Sequence, residues 1–558
     1  YKPTSNTLTI TRNPLGFINV VKNTREDSMK YEGVELDERG NIDDTKFIKF
    51  ITNTLEQNGI KLLPRGIKLD AYKAMPDTLD DFKKYFIDDK TNEVKNMIMF
   101  KRRILGLTSY FRSAQEGLMP KYDKKTDFVI IKIPMSPHQF TKYEEARKAE
   151  RKVEKSNAMK RGKKKADDLF QEESSTYRIF SRLFCNFVFP YPVINRPMPS
   201  GDENLENAII NESNDEDDID LTTDEDKLAN ANGKYDADDI YGTEQASAEG
   251  ELAVAEGETA VKLSKKEKNA LYNKAVTLAL QKLEENKDKY LTPESLQIYS
   301  PKFLNILENI KDDSHVGLHL VYSQFRTLEG IGILKLILEA NGFTQFKLVK
   351  EGDKWKIGIP EEDKDKPTFA LYTGTESTEE KEIIRNIFNG NWKLLSPEIS
   401  SELQAKANNN MYGEIIKVFM ITASGAEGIS LENVRYVHIT EPYWHPVRIE
   451  QVIGRARRIC SHQNLPEELR TITVFMYLMT LSEEQTKSND AVELRIKDKS
   501  KRDNITPITT DEALYEIATI KEEVSAQLLL SVKESSIDCA IHSKFGAKEK
   551  LQCFSFGP

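Results

Sequence analysis

Val434–Cys460 reads VRYVHITEPYWHPVRIEQVIGRARRIC, and its two halves decide the fold. Val434 to Thr440 is β-rich and nearly all apolar, the pattern of a strand covered on both faces. After the turn at Glu441 to His445, Pro446 suits a first helical position, where its missing N–H costs nothing. At about 100° per residue, Ile449, Val452, Ile453, Ala456, Ile459 and Cys460 fall within a sector of about 120°, one apolar stripe reaching to Cys460. Arg448, Gln451, Arg455 and Arg458 gather elsewhere within about 80° of one another, and Arg457 lies apart. Guanidiniums brought together without carboxylates repel, so this face calls for an external polyanion such as a nucleoside triphosphate; the alternative is a solvated basic face. Gly454 sits beside them at a cost of about 1 kcal/mol relative to Ala, which makes sense if something approaches closely.

Outward from this stretch, strands and helices alternate. Leu318–Phe325, Phe369–Tyr372, Val418–Thr422 and Thr471–Leu478 are strand candidates, while Leu328–Glu339 and Glu379–Phe388 have helical spacing. Phe128–Pro134 adds a short strand, and a helix opens at Ser136 and Pro137. The order predicts an α/β fold, a parallel sheet with helices on both faces, whose ligands sit beyond the carboxyl ends of the strands. Ala423–Leu431 (ASGAEGISL) comes directly after one such strand. Gly425 and Gly428 there either admit backbone amides close to an anion or make a tight connection.

The 558 residues are enough for more than one core, and no apolar run approaches the roughly 18 that a membrane span needs, so no membrane partner is expected. Tyr rather than Met stands first and no secretory leader is present, so the chain is expected to begin inside a longer protein. Cys185, Cys460, Cys539 and Cys553 are too few for a disulfide framework, which points to an intracellular, reducing compartment. Cys539, His542 and Cys553 are too loosely spaced for a convincing zinc site, and no metal is expected on this chain. His438 and His445 read as structural, and Trp444 as a packing residue or a gatekeeper against the Pro446 helix rather than a base-stacking platform.

Charge is unevenly spread. Ser200–Ala260 holds 20 acidic residues against Lys227 and Lys234, a local −18 that leaves the rest of a −10 chain at +8. Such a stretch cannot offset its ordering entropy by burial and is expected to be a disordered acidic insertion, a solvated linker rather than a nucleic-acid mimic. The helix from Pro137 carries Lys142, Arg147, Lys148, Arg151, Lys152 and Lys155 and leads to Lys160–Lys165, with Glu144, Glu145, Glu150 and Glu154 interleaved. It is either a charge-laced face or a phosphate-binding stripe. Lys101–Phe111 (KRRILGLTSYF) likewise suits backbone contacts plus stacking or a buried amphipathic segment.

Val321–Phe325 (VYSQF), Ala423–Leu431 and Gln451–Arg458 (QVIGRARR), in this order and spacing, resemble motifs IV, V and VI of superfamily 2 helicases. Thr440–Pro446 (TEPYWHP) and Met135–Tyr143 (MSPHQFTKY) are similar to segments of Swi/Snf-like translocases. Arg12–Phe17 (RNPLGF) and Lys533–Cys539 (KESSIDC) look like the transcription ATPases of large DNA viruses, of the early transcription factor and nucleoside triphosphatase I type.

The resemblance implies the C-terminal portion of such an enzyme, including its second RecA-like lobe. It implies ATP and Mg²⁺, with Arg455 and Arg458 as arginine fingers, Gln451 orienting them or the γ-phosphate, and Gly425, Glu427, Gly428 and Gly454 at the nucleotide. It places a nucleic-acid backbone, DNA rather than RNA, near Ser323, Gln324, Thr373, Gly374, Thr422 and Ser424, with RNA polymerase or transcription factors as further partners and a viral factory, virion or host cytoplasm as location. The expected organisation is 1–125 as first-lobe remnant and inter-lobe region, 126–199 as basic helical linker, 200–262 as acidic insertion, 263–495 as second lobe, and 496–558 as helical tail. The chain departs from the family in one respect: no G-x-x-x-x-G-K-[ST] and no acidic box occurs, so the first lobe is expected upstream of Tyr1 and this chain alone is expected not to hydrolyse ATP. The alternative is a non-catalytic RecA-like scaffold subunit that binds nucleic acid or polymerase.

Overall fold

The computed structural model describes residues 8, 10, 18–21, 29–32, 44–63, 66–68, 75–76, 78–88, 91–110, 116–161, 178–197, 265–352, 354–373, 376–422, 428–487, 496–545 and 551–554. The expected acidic insertion lies outside them, as do Gly374, Ser424, Gly425 and Glu427. Two compact units, Tyr1–Thr78 and Leu79–Pro558, are each described by themselves. In the first, β1 (Ile18–Val21) and β2 (Met29–Glu32) pair antiparallel, and α1 (Thr45–Gln57) comes next.

The second unit opens with α2 (Leu79–Phe86) and α3 (Met97–Ile104) and is built on a RecA-like sheet of seven strands. These are β3 (Phe128–Pro134), β4 (Leu318–Tyr322), β5 (Thr344–Gln345), β8 (Thr368–Tyr372), β9 (Val418–Ile421), β10 (Val434–Ile439) and β11 (Thr473–Thr480). Between them β6 (Leu348–Glu351) and β7 (Lys354–Ile357) form a separate hairpin. The order is β3-β11-β10-β4-β9-β8-β5, and every pairing in the sheet is parallel. Edge strand β3 comes from before the acidic stretch, in register from Phe128 beside Val474 to Pro134 beside Thr480.

Period-2 alternation sends the side chains of each inner strand into two cores. Leu320, Phe419, Val437 and Val474 face one, against α10 (Thr378–Phe388), α11 (Pro397–Lys406) and α12 (Pro446–Ala456). Val321, Met420, Tyr436 and Tyr477 face the other, against α4 (Pro137–Arg161), α5 (Ile179–Asn186), α6 (Lys265–Glu285), α8 (Pro301–Lys311) and α9 (Ile331–Ala340), with the short α7 (Pro293–Tyr299) alongside. After β9 the chain crosses β4 to lay down β10, and the connections that follow the neighbours β4 and β10 leave in opposite directions across the sheet. The segments leaving β4, β9 and β10 therefore meet at one edge. Long α13 (Thr510–Ser535) starts from a capping box at Thr509 and Glu512, and α14 (Cys539–Phe545) ends the described helices. Cys539 and Cys553 form a disulfide, so neither offers a thiolate to a metal.

One polar chain threads the second core. Asn309 Nδ2 donates to Tyr477 Oη (3.1 Å), which lies 2.8 Å from His438 Nδ1, and His438 Nε2 lies 3.0 Å from His319 Nδ1. The asparagine donates to the phenol, and the two rings pass a single hydrogen bond between His438 Nε2 and His319 Nδ1, which two neutral rings can share. Burial, then the field of His315, pushes His438 down to about 3, and burial first also takes His319 well below its usual value. His462 sits at about 4, driven by burial, with Arg435 and Arg470 adding to it and the Val434 carbonyl opposing it. These rings stay neutral when folded and take a proton near pH 6.5 when unfolded. Stability present above that pH is lost as pH falls toward the folded values, at about 1.4 kcal/mol per unit for each ring. Thermal unfolding between pH 7.5 and 4.5 should show Tm dropping once pH passes below about 6.5, and His462→Gln should flatten that slope by roughly a third.

Candidate nucleotide and nucleic-acid site

At the shared edge, β9 ends at Ile421, directly before buried Thr422. The segment becomes described again at Gly428, whose φ of +70° is left-handed and whose added Cβ would meet nothing within 4 Å; backbone conformation, not crowding, requires glycine here. Asn389, which caps the end of α10, anchors the residues just beyond this glycine: its Nδ2 donates to the Ser430 carbonyl (3.1 Å) and its Oδ1 accepts from Glu432 N (3.0 Å).

Helix α12 begins where the sequence places it, with Pro446 in its first turn and His445 as cap, and it buries Ile449, Val452, Ile453 and Ala456. It stops earlier than the apolar stripe suggests. Ser461 Oγ bonds the Ala456 carbonyl (2.9 Å) and the Leu118 carbonyl takes Cys460 N (2.9 Å), so the backbone turns away after Ala456. The expected stripe through Ile459 and Cys460 is thereby corrected: Ile459 is 45% exposed, and Cys460 has φ +62°. Arg458 also leaves the helix, yet it arrives at the same place. Its Nη1 donates to Ser430 Oγ, while the Arg455 carbonyl accepts from Leu431 N (3.1 Å). Both arginines thus flank the segment after Gly428, and among the described residues Arg458 has no carboxylate partner. Gln451 and Gly454 are half-buried on α12, and a Cβ on Gly454 would meet nothing within 4 Å. Arg448 stacks over the Tyr443 ring at 4.6 Å and Arg457 over Tyr122 at 5.4 Å.

Ser323 and Gln324, just past β4, are buried. Ser323 Oγ bonds Glu441 Oε1 (2.5 Å), and Gln324 Oε1 accepts from Arg182 on α5. Thr373, past β8, holds the Glu376 carboxylate through N (2.7 Å) and Oγ1 (3.1 Å). Sequence reasoning missed the polar groups behind these. Asn186 Nδ2 donates to Glu441 Oε1 (3.1 Å) and to the Glu329 carbonyl (2.8 Å). Lys302 donates to Asn186 Oδ1 (2.9 Å) and Asp511 Oδ2 (2.6 Å). Burial raises the Glu441 carboxyl above its usual range, with Ser323, Lys302, Arg182 and Asn186 pulling it back. A signal existed: Arg182 and Asn186 stand four apart, on one helix face, inside the otherwise apolar run IFSRLFCNFVFP.

Residues 356–460, which contain β8, β9, β10, α12 and the arginines, match the model of the helicase conserved C-terminal domain. The chain carries a helicase C-terminal domain. It is homologous to a protein of Acanthamoeba polyphaga mimivirus named as an ATP-dependent RNA helicase, 28% identical over 486 residues, 85% of this chain and 52% of the relative. A termination factor NPH-I homolog of African swine fever virus is 30% identical over 258 residues, 44% of this chain and 34% of that one. The chain thus spans about half, or less, of the length of these relatives. The crystal structure of the C-terminal part of the Fun30 ATPase domain aligns over 73% of this chain and 99% of its own, at 14% identity and a TM-score of 0.32.

Beside the helicase domain, the described basic side chains of α4 up to Arg151 are paired with carboxylates. Arg147 and Arg151 are buried on Asp498 (3.0 and 2.6 Å), and Lys142 and Lys148 pair with Glu145 and Glu144. Burial opposes ionisation of Asp498, but the bond and charge of Arg147, then Arg178 and Arg151, outweigh it and hold the carboxyl at about 2. Lys101 pairs with Glu534. Trp444 packs against Leu514, Ile517 and Ile520 of α13, under Lys521 at 4.3 Å, which makes it a packing residue toward that helix. Within the helicase domain, Gly454→Ala should raise stability by about 1 kcal/mol, since the helix gains propensity and nothing is crowded. Gly428→Ala should lower it by about 1 kcal/mol through its left-handed φ. Urea unfolding of both variants checks the pair.

Proposed function

We propose that this chain is the second-lobe portion of an ATP-dependent nucleic-acid helicase or translocase that serves transcription or genome handling of a large DNA virus, inside the infected cell and in contact with a transcription complex. The observation that carries the reading is the meeting of α12 with the segment after Gly428, through the Arg455 carbonyl and the Arg458 guanidinium, with the open side of Gly454 on the same helix. A helix interior retains a glycine that its own surroundings do not require, which fits close approach of a polyphosphate. ATP with Mg²⁺ would supply the phosphoanhydride whose γ-phosphate gathers charge as it leaves; the metal carboxylates and the phosphate-cradling lysine would belong to a partner lobe.

The chain's own groups take the remaining roles. Arg455 and Arg458 donate to that charge from a helix and from a turn, Gln451 orients them, and Gly428, Gly425 and Glu427 line the nucleotide side. Thr373, Gly374, Thr422, Ser424 and Gln324 face a nucleic-acid backbone, and Ser323 holds the strand end that carries Gln324. Residues 263–495 with β3 form the working lobe.

Two measurements test this. Anisotropy with 20-nucleotide RNA and DNA should show affinity falling at least tenfold between 50 and 200 mM salt. In the protein extended through its first lobe, Arg455→Ala and Arg458→Ala should each lower the stimulated ATPase kcat by about 10³-fold without lowering Tm, and Gly454→Ala should lose turnover despite its added stability. Salt-insensitive binding together with unchanged turnover sinks the proposal. Salt-sensitive binding with no ATP turnover in the extended protein makes the chain a scaffold.

A further inference from the structure

Arg182 is fully buried on α5, its guanidinium 5.1 Å from the Phe325 ring centre, and it makes no direct ion pair with a described residue. It donates instead to the side-chain oxygen of Gln324, a neutral amide. Glu441 and Asp511 are near enough to favour its charge, while burial works against it. For stability alone this is a poor arrangement: a buried charge without a bonded counter-ion is matched or bettered by an apolar side chain of similar volume. What the contact does accomplish is orientation. An arginine can only donate, so the bond fixes which end of the Gln324 amide faces α5. The opposite end, the two-donor Nε2, has no acceptor among the described residues. Asn186, one turn further along the same face of α5, secures the neighbouring strand end through Glu441 and the Glu329 carbonyl, so the helix carrying Arg182 is itself pinned.

We propose that Arg182 is a positioning residue that holds the Gln324 amide with its donors turned toward a nucleic-acid phosphate. The proposal rests on the reading of this edge as a nucleic-acid site and names a device within it. It predicts an asymmetry that packing alone would not produce. Gln324→Glu keeps, and strengthens, the partner of Arg182 but replaces the Nε2 donors with an acceptor.

The test is anisotropy of the chain with a 20-nucleotide single strand at 50 mM salt, alongside thermal unfolding of every variant. Gln324→Glu should leave Tm unchanged or raised while weakening binding at least tenfold. Gln324→Ala and Arg182→Lys should each weaken binding by roughly tenfold, and the double variant should be no worse than either, because both remove one oriented donor. Additive losses in the double variant, or Gln324→Glu binding as wild type does, overturn the proposal. Should Arg182→Lys fail to fold, the Gln324→Glu comparison decides alone. Wild-type chain that binds no strand at 50 mM salt overturns the nucleic-acid reading itself, an outcome separate from additivity.

Discussion

Because β4, β9 and β10 are covered on both faces, they have no flank on which to carry chemistry, and every polar group of the site is displaced to the point where these strands stop. The change is abrupt. Tyr322 gives way to Ser323, Ile421 to Thr422, and Ile439 to Thr440 and Glu441. Since the chain crosses β4 on its way from β9 to β10, these three endings are neighbours although the first lies about a hundred residues before the others in sequence. The glycine segment and the arginine helix are what leave β9 and β10, so their meeting is a consequence of strand order rather than of any contact between them.

Polar endings set into a packed edge must then be satisfied from within the protein. Lys302 and Asp511 are both fully buried and are held by each other and by further bonds: Lys302 to Asn186, and Asp511 Oδ2 from Met479 N at 3.1 Å. These bonds draw α5, α8 and α13 onto the sheet edge. Trp444 does the same on the apolar side, where α13 covers it. Elements far from the motif residues therefore set the geometry of the motif residues.

Much of the fold was legible in the sequence, because its signals are local. The run FVIIKIP is β3 from end to end, and the apolar runs beginning at 318, 369, 418, 434 and 471 each contain a strand of one parallel sheet. Periodicity failed where a single side chain overrode it: the wheel carried α12 to Cys460, and Ser461 ended it at Ala456. Arg455 and Arg458 still meet one segment, the first by its backbone carbonyl and the second by its side chain. The buried pairs were not legible at all. Lys302 and Asp511 are 209 residues apart and Arg182 and Gln324 142, and charge type alone does not say which partner a buried group has found. The single disulfide was equally hidden, since four cysteines allow several pairings.

The early end of α12 also changes how the two arginines relate. On one helix they would move as a unit. Instead Arg455 rides on the helix, whereas Arg458 rides on a turn fixed through Ser461 and His462, whose Nε2 lies 2.8 Å from the Val434 carbonyl at the start of β10. The segment after Gly428 touches both, the Arg455 carbonyl through Leu431 N and the Arg458 guanidinium through Ser430. A left-handed glycine at its head lets that segment pivot where a residue with a Cβ would resist. The two arginines are therefore carried by different parts of the fold, one by the helix and one by the turn that follows it.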